Sequence, residues 1–154
     1  MDFELNLNSE TVDCCFSKQA LCLAGSVCVR EALVEMRQRQ RSAVLVCRDD
    51  VLVGIFTERD ALYLMAEGAD LSVPLDKVMT PNPVTLHVSD TVAQAITKMA
   101  EGGYRRLPVV DDHGRPVGAI RVGDVLHYLV AHFPKVIYNL PPEPHHCLNE
   151  RDGA

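Results

Sequence analysis

Two stretches of this chain repeat one another in register, and that constrains the fold more than any other feature. Val29, Ala32, Leu33 and Met36 fall at i, i+3, i+4 and i+7, the spacing of one apolar helix face. Val92, Ala95, Ile96 and Met99 do the same, each displaced by 63 residues. A polar step and a β-branched strand follow in both copies: Arg41-Ser42-Ala43-Val44-Leu45-Val46, against Tyr104-Arg105-Arg106-Leu107-Pro108-Val109. Turn residues come next, Arg48-Asp49-Asp50 in one copy and Asp111-Asp112-His113-Gly114-Arg115 in the other. The second turn is one residue longer, so the offset becomes 64 and Gly54 matches Gly118, Phe56 matches Ile120, and Asp60 matches Asp124. A register kept through two helices and two strands marks a duplicated unit.

Each copy therefore predicts strand–helix–strand–strand–helix, an α+β unit with a hairpin in its middle. The last helices are expected at Glu58–Ala66 and Asp124–Phe133, each starting on an acidic residue. First strands are expected near Ala20–Ala24 and Val84–Val88. A helical turn at Leu75–Met79 leads into Thr80-Pro81-Asn82-Pro83, which must be extended. The division is a lead-in at 1–11, repeats at 12–74 and 75–133, and a proline-rich tail at 134–154. One copy of about 60 residues buries too little surface to be stable alone. Tandem pseudo-symmetric repeats with their sheets packed together solve that problem.

Composition narrows the function. The chain is 47% apolar and 23% charged over 154 residues, which supports a core and excludes disorder as the main state. A net charge of −6 denies it the broad positive field of a nucleic-acid binder. No apolar stretch approaches the ~20 residues of a bilayer span, and MDFELNLNSE lacks the order of a signal peptide. A soluble, cytoplasmic protein with no membrane partner is the expectation. The six cysteines include no CxxC pair and are expected to be free thiols, with Cys22, Cys28 and Cys47 inside apolar segments. His145-His146-Cys147 has zinc-ligand chemistry, but adjacent residues rarely fill one tetrahedral site, so no metal is expected. His127 and His132, at i and i+5, do not share a helix face. No GxSxG, HExxH or P-loop pattern is present, and nothing points to an enzyme.

Several segments resemble the CBS-domain pair, or Bateman module, over roughly residues 12–133. They are Gly54-Ile55-Phe56-Thr57-Glu58-Arg59-Asp60, Tyr104-Arg105-Arg106-Leu107-Pro108-Val109-Val110-Asp111, and Gly118-Ala119-Ile120-Arg121-Val122-Gly123-Asp124, with the lead-in Val78-Met79-Thr80-Pro81. The resemblance implies a stand-alone regulatory module. It would sense AMP, ADP, ATP or S-adenosylmethionine in clefts between the repeats, with no obligatory cofactor. It also implies a homodimer and a regulated partner protein. The alternative is a ligand-free module of the same fold that serves dimerisation or protein interaction.

The residues themselves suit such ligands. Thr57 stands where a helix leaves its first N–H groups unpaired, which with the hydroxyl suits a phosphate. Asp60 could accept hydrogen bonds from both hydroxyls of a ribose. The plainer reading makes Thr57 an N-cap with Asp60 in the first turn. In the second copy Arg121 replaces the hydroxyl. It could reach a phosphate from further out, block the pocket, or pair with Asp124. Arg105 and Arg106 could reach phosphate or pair with Asp111 and Asp112. The resemblance places adenine near Thr80 and Val84, with backbone contacts around Tyr104, in one site with these arginines. Subtracting the offset gives Ser17 and Leu21 for the other site, with Arg41 and Ser42 as its basic step beside Thr57 and Asp60. Arg37, Arg39 and Arg41 are either a solvated helix end or a phosphate rim.

Overall fold

In the computed structural model, which describes residues 7–132, the duplicated pattern becomes two β-α-β-β-α units. The first runs β1 (Cys22–Ala24), α1 (Val29–Gln38), β2 (Ala43–Arg48), β3 (Val51–Thr57) and α2 (Glu58–Ala66). The short helix α3 (Leu75–Val78) and strand β4 (Thr80–Pro81) lead to the second unit. That unit runs β5 (Leu86–His87), α4 (Val92–Gly102), β6 (Arg106–Val110), β7 (Pro116–Arg121) and α5 (Val122–His132). The sequence expectation started α5 at Asp124; it starts two residues earlier. The Asp124 carboxylate accepts the Arg121 N–H at 2.9 Å, so it closes the first turn from the third helical position. The tail at 134–154, including His145-His146-Cys147, lies outside the described residues.

Local chemistry accounts for the hairpins. Asp49 and Asp50 have φ of 51° and 66°, the left-handed pair that a two-residue hairpin loop demands and that aspartate tolerates. The ladders β2–β3 and β6–β7 each slip once, at Val46/Cys47 and at Val109/Val110, which are equivalent positions. The duplication thus extends to a β-bulge.

The two units are interlocked rather than merely stacked. Strand β4, which precedes the second unit, pairs with β3 of the first: Ile55 lies opposite Thr80 and Gly54 opposite Pro81. Reciprocally, Ser17 bridges Ala119 on β7, through hydrogen bonds of 3.0 and 3.1 Å. Helix entries follow the same exchange. The Val29 N–H donates to Val73 O at 3.0 Å, and the Val92 N–H donates to Glu10 O at 2.9 Å.

Cores are completed by the same swap. Val29, Ala32, Val44, Val46 and Phe56 form the first core, and Leu75 of the linker is fully buried among them. Ala95, Leu107, Val109 and Ile120 form the second, and Val12 from a short 3-10 turn (Val12–Cys14) is fully buried there. A unit separated from the other would lose one such plug, a fully buried aliphatic side chain worth about 1.5–3 kcal/mol.

All five described cysteines are free thiols, and burial pushes Cys15 and Cys47 up to about 12. Cys15 and Cys47 are therefore protonated at neutral pH and behave as small hydrophobes. No helix among the described residues is long and apolar enough to cross a membrane.

Candidate functional site

Between the units lies a cleft of about 550 Å³. Its apolar wall comes from Leu21 at the entry to β1, Leu33 and Met36 on α1, Leu45 on β2 and Ile55 on β3. Pro108 and Ala119 close it from the second unit. Leu33 and Met36 reach it because the helical period aims that face of α1 inward. At the end of α1, Gln40 takes a φ of 53° and the Arg41 N–H returns to Met36 O at 2.8 Å. That tight C-terminal turn brings Arg37, Arg41 and Ser42 to the rim. Arg41 is held there by its Nη2, which donates to Gln19 Oε1 at 2.8 Å.

Across the cleft stand Arg106 and Arg121, with Glu58 beside them. Arg106 Nη1 donates to Ser42 Oγ at 2.5 Å, a direct tie between the two units. Burial pulls the Arg106 guanidinium below its ordinary value; Glu58 works against that and Arg121 adds to it. The cleft therefore joins an apolar wall to a cationic rim.

Of the residues singled out from sequence, Leu21, Arg41, Ser42, Arg106 and Arg121 meet in this cleft, together with Ser17. Thr57, Asp60, Thr80, Val84, Tyr104, Arg105 and Asp124 do not line it. The cleft groups these residues differently from the two sites expected from sequence. Arg121 and Arg106 face the entry to the first unit, in the place where the sequence reading had put Thr57 and Asp60. The cause is the strand exchange, which carries Ser17 onto β7 and so brings the end of β7 over Leu21. Thr80 is exposed on β4 beside Ile55, near the end of β3. Val84 and Tyr104 are each 40% exposed, and the Tyr104 ring lies over Gly102, where a Cβ would collide with it. Arg105 is exposed. The pairing of Arg105 or Arg106 with Asp111 or Asp112 is not what forms: Asp111 accepts the N–H groups of His113 and Arg115, and Asp112 contacts His87 Nε2 at 2.6 Å.

Thr57 and Asp60 form a reciprocal cap. Thr57 Oγ1 accepts the Asp60 N–H at 3.3 Å, and Asp60 Oδ2 accepts the Thr57 N–H at 2.8 Å. Thr57 Oγ1 also donates to Asp60 Oδ2 at 3.0 Å. At the equivalent end of β7, Arg121 reaches Asp124 with Nε at 3.5 Å and Nη2 at 3.4 Å. Both carboxylates therefore help to hold the start of their helices. Asp60→Ala should cost about 0.5–2 kcal/mol, as N-terminal cap losses do. Thermal denaturation should show it as a fall on the order of 1–8 °C, and an unchanged midpoint would mean the box contributes nothing.

Gln19, Gln40, Glu58 and Ala119 were not singled out from sequence. Gln19 and Gln40 flank expected elements and carry no motif. Glu58 reads as an ordinary first-turn acid. Ala119 becomes a wall only because Ser17 pairs with it. Among the described residues, no group of three or more His, Cys, Asp and Glu is arranged to hold a metal ion.

Comparison with known proteins gives this geometry a family. The CBS domain model matches twice, over residues 29–67 and 75–131. A CBS domain-containing protein of Arabidopsis thaliana, CBSCBSPB5, is 34% identical over 77% of this chain, which spans only 22% of that relative's length. The CBS domain-containing protein YhcV of Bacillus subtilis is 35% identical over 63% of this chain and 69% of its own. Among solved structures, CBSX2 in complex with AMP superposes with a TM-score of 0.72 at 25% identity, covering 79% of this chain and 97% of that one. Two interlocked copies of one unit, each matched separately, place the chain in the CBS domain family, with the domain present as a pair.

Proposed function

We propose that this chain is a regulatory module that binds an adenosine-containing ligand, AMP, ADP, ATP or S-adenosylmethionine, in the cleft between its two units. The observation that carries the reading is the pairing of an apolar wall with a cationic rim in one cleft of nucleotide size, about 550 Å³. CBSX2, which shares the fold, has been crystallised with AMP. Leu21, with Leu33 and Met36, offers the surface for a base. Ser17 and Ser42 provide hydroxyls, and Arg41, Arg106 and Arg121 face the phosphates. Thr57, Asp60, Thr80, Val84, Tyr104, Arg105 and Asp124 belong to secondary positions, around the pseudo-symmetric counterpart of this cleft and at the margin of the first. The module is non-catalytic, and a partner protein reads its occupancy.

Titration calorimetry with those four ligands tests the reading. Micromolar binding of one of them, about −8 kcal/mol, is the expected result. No heat from any ligand would leave a module that only dimerises or docks on a partner.

The assembly proposed is a homodimer. Leu62, Tyr63 and Met65 on α2 are 50–65% exposed, and Leu126 on α5 is 57% exposed at the position equivalent to Leu62. A second copy, carrying the same two helices, is self-complementary to such a face. Light scattering should give twice the 17.0 kDa chain mass at micromolar concentration. Leu126→Glu should return it to the single-chain mass, and a wild-type protein already at that mass would exclude the dimer.

A further inference from the structure

The second unit carries two arginines where the first carries none. In the β6–β7 ladder Arg106 lies directly opposite Arg121. At the equivalent place in the β2–β3 ladder Ala43 lies opposite Thr57. Like charges in register across two strands destabilise a ladder, so this pair has a cost that the first unit avoids. The counter-charges nearby are insufficient. Asp124 reaches only Arg121, at 3.4–3.5 Å, and the hydrogen-bond partner of Arg106 is the neutral Ser42 hydroxyl. Arg37 and Arg41 add two more guanidiniums from the first unit, and Glu58 is the one carboxylate lining the cleft among the described residues. Four guanidiniums against one carboxylate make a local excess of positive charge in a chain whose net charge is −6.

We propose that this cleft is a receptor for a phosphate chain, in which the number of phosphates sets affinity and inorganic pyrophosphate and triphosphate bind without a nucleoside. The proposal rests on the cleft being the ligand site, but it shifts recognition from the nucleoside to the anion. A triphosphate offers several oxygens to Arg106 and Arg121 at once, and charge-assisted contacts of that kind are the strong ones. It also relieves the cross-strand repulsion, which a neutral nucleoside cannot do. Arg121 is free to turn toward it, because its side chain is 63% exposed and its contacts to Asp124 are long.

The test is calorimetry on the full chain, in buffer free of divalent cations, with inorganic phosphate, pyrophosphate, triphosphate, ATP, AMP and adenosine. Affinity should rise about tenfold or more with each phosphate added, and triphosphate should bind within about tenfold of ATP. Arg106→Ala and Arg121→Thr, which install the residues of the first unit, should each weaken triphosphate about 10- to 150-fold. Added salt should weaken triphosphate more than AMP. Arg48→Ala, at the hairpin tip away from the cleft, is the control. If it weakens triphosphate as much as Arg121→Thr does, the attraction is general to the surface and the proposal is overturned. If AMP, adenosine and ATP bind equally while triphosphate does not, the phosphate-chain proposal falls and the adenosyl reading survives. If nothing binds, both fall. Circular dichroism of each variant separates lost binding from lost folding.

Discussion

Gly118→Ala should lower the melting temperature on the order of 2–12 °C, the result of about 1–3 kcal/mol of overpacking. A Cβ at residue 118 would collide with the backbone carbonyl of Ser17 and with the Phe16 ring. That carbonyl cannot move aside, because it accepts the Ala119 N–H at 3.0 Å in the exchanged bridge. Gly54 is the equivalent position, yet a Cβ there meets the flexible Met79 side chain. Methionine has rotamers to spare, so Gly54→Ala should cost less. Ligand affinity should fall in parallel for Gly118→Ala, since Ser17 and Ala119 both line the cleft. Far-UV circular dichroism serves for the measurement, because the chain has no tryptophan to follow by fluorescence. Gly118→Ala melting with the wild type, or Gly54→Ala costing more, would show that the exchange does not hold the units together.

ATP at 100 times its dissociation constant should stabilise the protein by about 2.7 kcal/mol. For a chain of this size that is a rise in melting temperature on the order of 5–11 °C. With Arg106→Ala and Arg121→Thr combined, affinity should fall about 100-fold or more, at roughly tenfold for each lost contact. The same ATP concentration would then equal the new dissociation constant or lie below it. Stabilisation drops to about 0.4 kcal/mol or less, a shift on the order of 1 °C. Without ligand the double variant should change little in stability, because relief of two opposed like charges in the β6–β7 ladder offsets the lost Arg106–Ser42 and Arg121–Asp124 contacts. A full thermal shift in the double variant would place the nucleotide away from this rim. A variant that melts far below the wild type would show that the arginines support the fold instead.

The secondary structure was legible because its signals are local. Val29, Ala32, Leu33 and Met36 state a helix face within eight residues, and the same face recurs at Val92. Arg48-Asp49-Asp50 announces a turn, and Thr57 with Asp60 announces a cap that does form. The duplication showed which residues are equivalent, down to the shared bulge. It could not show which unit each residue faces. An offset of 63 relates Leu21 to Val84 and Ser17 to Thr80, whether each cleft is built within one unit or between two. That choice was made by β4 pairing with β3 and by Ser17 bridging Ala119, contacts between residues 25 or more apart with no short-range pattern. The opposition of Arg106 and Arg121 was hidden for a similar reason. Register across a hairpin depends on where the ladder slips, and the five residues between β6 and β7 leave several registers open. Local spacing therefore settled the elements and their duplication, while long-range strand pairing alone decided which side chains share a cleft. The hydrophobic pattern says which face of a strand is buried, whereas pairing between distant edges, as of β4 with β3 and Ser17 with Ala119, says which segments that face meets.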